Sequence, residues 1–100
     1  MTAVAMGTLE SLLVRRDQIR AVARRHRGRS VSIFGSVARG EDRPGSDVDF
    51  LVEFDRSASL FDLLHLEDAL SQLLQRPVDV ISDSSLKPRD EHIRSEAVSV

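Results

Sequence analysis

The sequence predicts an α+β domain in which a small mixed or antiparallel sheet is covered by helices on one face. Three observations predict it. Two long segments repeat apolar residues at spacings of three and four. Between them, residues 47–54 alternate so that one face is wholly apolar and the other carries Asp47, Asp49 and Glu53. The chain has 100 residues, 41% hydrophobic and 30% charged, which suits one soluble globular domain spanning residues 1–100 with a modest core.

Residues 1–7 carry no period and are expected to be a frayed end. From Thr8, the residues Leu9, Leu12, Leu13, Ile19, Val22 and Ala23 recur at helical spacing. Arg16 falls near the middle of that stripe, so either the helix breaks near Val14 or the arginine snorkels past its neighbours. Gly28 supplies a stop, and Val31 to Phe34 forms a short β-branched strand that Gly35 ends.

After a loop at Glu41 to Gly45, Val48, Phe50, Val52 and Phe54 share one face of a second strand, while Asp47, Asp49, Leu51 and Glu53 share the other. Ser59, with Asp62 three positions on, caps a helix striped by Leu60, Leu63, Leu64, Leu70, Leu73 and Leu74, which Pro77 stops. Val78 to Ile81 is a third strand that sets Asp79 opposite its valines. Pro88 opens a terminal helix with Ile93 and Ala97 on one side.

Composition removes several functional classes. Without cysteine there are no disulfides, thiolate metal sites or cysteine nucleophiles. No apolar run approaches the ~18 residues of a membrane helix, and no signal-peptide pattern opens the chain, which gives the expectation of a cytoplasmic protein without membrane partners. A net charge of −2 supplies no general attraction to nucleic acid. Arg15, Arg16, Arg20, Arg24, Arg25, Arg27 and Arg29 crowd one segment without interleaved aromatics; they read as a solvated face or as a contact surface for an acidic partner or a nucleic acid.

The chemistry gathers at residues 31–54. Gly35-Ser36 stands where a strand meets a helical turn, so backbone N–H groups there face outward and a phosphate can approach closely; Arg39 adds charge one turn on. An ordinary turn would look similar. Asp47 and Asp49, two apart on a strand, point the same way and repel unless they share a proton or a divalent cation; all-oxygen ligands select Mg²⁺ or Mn²⁺. A charged edge strand is the alternative. Together with Asp79 on the same face, the set suits two-metal phosphoryl or nucleotidyl transfer, in which Asp79 completes the second metal site or acts as base. Glu53 lies four residues beyond Asp49, roughly 13 Å by strand rise, and is a surface charge. His26, His65 and His92 have no metal-ligand spacing.

Gly35-Ser36-Val37-Ala38-Arg39-Gly40, followed by Ser46-Asp47-Val48-Asp49 between hydrophobic residues, resembles the signature of the DNA polymerase beta nucleotidyltransferase superfamily, in particular its minimal nucleotidyltransferases. The match is specific over residues 31–54 and looser from Leu9 to Val98. The resemblance implies a polymerase-beta-like core in which Gly35 and Ser36 hold the triphosphate of ATP or another NTP, with Arg39 as a secondary phosphate ligand. It implies two Mg²⁺ ions on Asp47, Asp49 and Asp79. It further implies an antitoxin whose partner is a helical HEPN toxin, with AMP moved from ATP to a toxin tyrosine. Larger members carry an added helical domain for which 100 residues leave no room, so a homodimer or hetero-oligomer would complete the site. Two other readings stand beside this one: a non-catalytic binding antitoxin of the same fold, and an enzyme acting on a small hydroxylated molecule.

Overall fold

The computed structural model describes residues 7–100. The expected frayed end falls outside this range apart from Gly7, whose N–H donates to Glu10 Oε2 (3.0 Å) ahead of helix α1, Thr8–Val14. The helix breaks at Arg15, and α2, Arg16–Arg25, follows at once. The break resolves the misplaced arginine: Arg16 turns outward and donates through Nε to the Leu13 carbonyl (3.0 Å). Leu12, Ile19 and Ala23 can then all reach the core.

Gly28 is not the helix stop. Arg27, at φ 64°, makes the left-handed turn, and Gly28 is already the first residue of β1, Gly28–Phe34. A Cβ at Gly28 would lie 3.1 Å from the Ala23 carbonyl oxygen, so glycine serves close packing of the strand under α2. Next come α3, Gly35–Arg39; β2, Val48–Phe54; α4, Leu60–Leu74; β3, Val78–Ser82; two 3₁₀ turns, Asp83–Ser85 and Pro88–Asp90; and α5, Glu91–Glu96. The expected helix through Ala97 stops one residue earlier, because Ala97 is extended (ψ 135°) and leads into a fourth strand, β4, Val98–Ser99.

The sheet is mixed, with order β3-β2-β1-β4. β1 pairs antiparallel with β2 and β4, whereas β2 pairs parallel with β3, the crossover being α4. Val48, Phe50 and Val52 are fully buried with Ile33, Ile19, Leu66 and Leu70, so α2 and α4 cover this face of the sheet. On α4 the buried line is Leu66, Leu70 and Leu74, flanked by Leu63 and Leu73. Leu60 and Leu64, placed in the stripe by spacing alone, are 69% and 47% exposed beside Phe61. The N-cap is as expected, the Ser59 N–H donating to Asp62 Oδ2 (2.9 Å).

Candidate active site

Three elements converge where β1 ends. Gly35 enters α3 at φ 75°, a left-handed conformation that disfavours any side chain. Its α-carbon also faces Asp49: a Cβ built there would overlap the Asp49 carboxylate at Oδ2. The short helix closes on Gly40, also left-handed at φ 72°, with Gly40 N–H donating to the Val37 carbonyl (3.1 Å) and Glu41 N–H to that of Ser36 (2.8 Å). Val37 is buried and anchors the turn to the core.

Register does the remaining placement. Phe34 pairs with Asp49 across β1 and β2, and Asp49 pairs with Asp79 across β2 and β3. Residues paired across a ladder share a face, so Asp49 and Asp79 project together beside the Gly35 turn while Val48, Val78 and Val80 point into the core. Asp47 lies one residue before β2 rather than within it, exposed and in hydrogen-bond reach of Asp79. The sequence-predicted Gly35, Ser36, Arg39, Asp47, Asp49 and Asp79 are thus brought to one end of the sheet.

The acids bear the electrostatic mark of crowding. Half-burial, then the charges of Asp79 and Asp47, pushes the Asp49 carboxyl above the ordinary aspartate range, and Arg39 only partly offsets this. Asp79 is also raised, by desolvation first and then by Asp47 and Glu67. Such a face gains by binding a cation. The donors are all carboxylate oxygens, which fits Mg²⁺. As the side chains stand, no group of three or more His, Cys, Asp or Glu among the described residues is drawn together around one point in the manner of a filled metal centre.

Several contributors have no signal in the sequence. Glu96, at the end of α5, accepts from the Gly35 N–H (3.1 Å) and from Arg39 Nη1 through both carboxylate oxygens (3.2 Å each). Arg39 also donates through Nε to Glu41 (3.0 Å). Arg76 fastens the loop that leads to Asp47: its Nη2 donates to the Ser46 carbonyl (2.8 Å) and lies 3.7 Å from Asp42 Oδ2, which in turn accepts from Thr8 Oγ1 (2.6 Å). Glu67 on α4 accepts from the Val80 N–H on the outer side of β3 (2.9 Å), satisfying a sheet-edge donor next to Asp79.

Other residues stand apart from this end of the sheet. His26 and His65 meet edge to face, ring centroids 6.3 Å apart. Arg20, Arg24 and Arg29 line a cavity of about 230 Å³ at the opposite end of β1, where Arg20 Nε donates to the Val100 carbonyl (2.8 Å). Among the described residues no helix is long and apolar enough to cross a membrane.

Fold and site together define a nucleotidyltransferase, and comparison with known proteins agrees. Residues 15–99 match the family described as nucleotidyltransferase domain, and the chain belongs to that family, as one of its minimal members. The protein adenylyltransferase MntA of Thermococcus cleftensis is 37% identical over 87 residues, covering 87% of this chain and 86% of the relative. A Methanocaldococcus jannaschii chain named by inference as a protein adenylyltransferase is 43% identical over 77 residues, covering 76% and 83%. Among solved structures, one named by inference as a minimal nucleotidyltransferase superposes with a TM-score of 0.82 at 40% identity, over 98% of this chain and all of the other. An MNT antitoxin bound to a tri-AMPylated HEPN toxin of Shewanella oneidensis shares the fold, with a TM-score of 0.66 at 16% identity over 87% of this chain and 69% of the other.

Proposed function

We propose that the chain is a Mg²⁺-dependent protein adenylyltransferase that moves AMP from ATP to a tyrosine hydroxyl of a helical HEPN-type toxin and so acts as its antitoxin. The observation that carries this is the close approach of Gly35 to Asp49, which is itself in register with Asp79, so that the glycine turn stands against a one-sided acidic face. The names of the adenylyltransferase relatives support AMP as the transferred group, and the AMPylated toxin complex supports the partner class.

In this reading the Ser36 hydroxyl and N–H, the close backbone at Gly35 and the Arg39 guanidinium hold and orient the triphosphate. Asp47, Asp49 and Asp79 would hold Mg²⁺, which when bound neutralises phosphate charge and lowers the pKa of the attacking hydroxyl. The acceptor oxygen forms a bond to the α-phosphorus as the bond to pyrophosphate breaks. Asp79 would either complete the second metal site or, left free of metal, take the hydroxyl proton as base. The chain contains no tyrosine, so a tyrosine acceptor must belong to another molecule.

The test is the intact mass of the proposed partner, taken as a small helical protein encoded beside this chain if one is found there, after incubation with this chain, ATP and Mg²⁺. Addition of one or more AMP groups, lost when the target tyrosine is replaced by phenylalanine, is the expected result. An unmodified toxin that is nonetheless neutralised would favour a binding antitoxin instead.

A further inference from the structure

The hook formed by α5 and β4 reaches the phosphate-holding turn. β4 runs antiparallel to β1, with Val98 opposite Ile33 and Ser99 opposite Ser32, and the Val100 N–H donates to the Val31 carbonyl (3.0 Å). Val100 is buried, so this register is fixed by packing. The same register, carried two residues back along the chain, sets Glu96 opposite Gly35, and there its carboxylate accepts from the Gly35 N–H.

Glu96 occupies only part of the anion-holding surface. A guanidinium has five N–H donors in a fixed fork. Glu41 takes Nε of Arg39 and Glu96 takes Nη1; among the described residues Nη2 and the Ser36 hydroxyl make no hydrogen bond. The N–H groups of Ser36 and Val37, in the first turn of α3, have no partner within the helix. One side of the turn is therefore held by a carboxylate from the far end of the chain, while the remaining donors are not taken by the described residues.

We infer that Glu96 is a positioning residue for nucleotide binding: it fixes the Gly35 backbone and one edge of the Arg39 guanidinium, leaving Ser36 and the other edge of Arg39 for the phosphates. Without it, Glu41, whose side chain is 65% exposed, is the one tether left to Arg39 among the described residues, and the guanidinium must be ordered when nucleotide binds. The inference rests on the nucleotide reading proposed above.

The experiment is calorimetric titration of the full chain with MgATP for wild type, E96A, R39A and the double variant, with E96Q and thermal melting alongside. Loss of a hydrogen bond to a charged group predicts that E96A weakens binding roughly tenfold. Because Glu96 acts in part through Arg39, adding E96A to R39A should cost clearly less than its effect in the wild type, the remainder being the contact with the Gly35 N–H. E96Q, which can still accept from the Gly35 N–H, should retain at least half of the lost affinity on a logarithmic scale, and it replaces E96A in the cycle if the latter fails to melt cooperatively. Equal losses in both backgrounds would make Glu96 merely structural and overturn the inference. Unchanged or tighter binding in E96A would overturn it too, the latter by making Glu96 a competitor of phosphate. Failure of the wild type itself to bind MgATP would overturn the nucleotide reading, and this role with it.

Discussion

The carboxylate of Asp49 stands over Gly35, in the space where any other residue would carry its Cβ. The turn proposed to hold phosphate and the acid proposed to hold metal therefore share the same few ångströms. Gly35→Ala meets two penalties together, the steric overlap and a left-handed φ of 75°. It should destabilise the fold by more than about 1 kcal/mol and remove most nucleotidyl transfer. Urea unfolding and a transfer assay on the same preparation check both effects. A variant of wild-type stability would place Asp49 elsewhere.

Asp49 is a source of instability in the metal-free protein. Its folded pKa is raised above the ordinary 3.8, so the folded state favours the protonated form and the associated stability is present at low pH. That stability is lost as pH rises through the raised folded value, and Asp79, shifted the same way, adds to the trend. Asp49→Asn should raise the Tm of the metal-free chain by a few degrees at pH 7, leave it little changed near pH 3, and abolish transfer. Melting curves across pH 3–7 in chelator check the sign.

Divalent cation should reverse that cost. In the proposed site Mg²⁺ would neutralise the repulsion among Asp47, Asp49 and Asp79, so saturating Mg²⁺ should raise Tm, more at pH 7 than at pH 5 because metal competes with protons for the same oxygens. Asp47→Asn/Asp49→Asn should erase the Mg²⁺-dependent rise. A rise of equal size in that double variant would assign the binding to other residues.

The core and the acid pair were legible because their physics is local. Alternation along Asp47 to Phe54 fixes which side chains face inward, and the glycine at position 35 marks a turn that only backbone can fill. The partnership of Asp49 with Asp79 was legible only as a shared face. That β2 and β3 run parallel, which puts these two residues in register, depends on the crossover through α4. Glu96 and Arg76 were not legible: their roles come from contacts 61 and 30 residues away in sequence, and a lone charge in a helix or loop has no period to announce it. β4 left a trace in the alternation of Val98 and Val100, overshadowed by the helical spacing of Ile93 and Ala97. The helix stop assigned to Gly28 failed because Arg27 tolerates the left-handed turn, the glycine being needed one residue later for packing.

Arg76 carries a prediction of its own. It joins the Ser46 carbonyl, Asp42 and Thr8 in a half-buried network that holds the loop immediately before Asp47. Arg76→Ala should cost about 1–3 kcal/mol in urea unfolding and reduce transfer, because Asp47 loses its fixed approach to Asp79. Arg76→Lys, which keeps the charge but not the fork, should recover only part of either loss. Full activity in Arg76→Ala would show that the loop is held by other contacts.

Transfer of label from ATP to the partner toxin tests the central claim most directly. With ATP labelled on its α-phosphate, the toxin should acquire label in the presence of Mg²⁺ and this chain. ATP labelled on its γ-phosphate should give none. Asp47→Asn/Asp49→Asn should lower the rate by at least about a hundredfold. Labelling at the wild-type rate by that double variant would contradict the account.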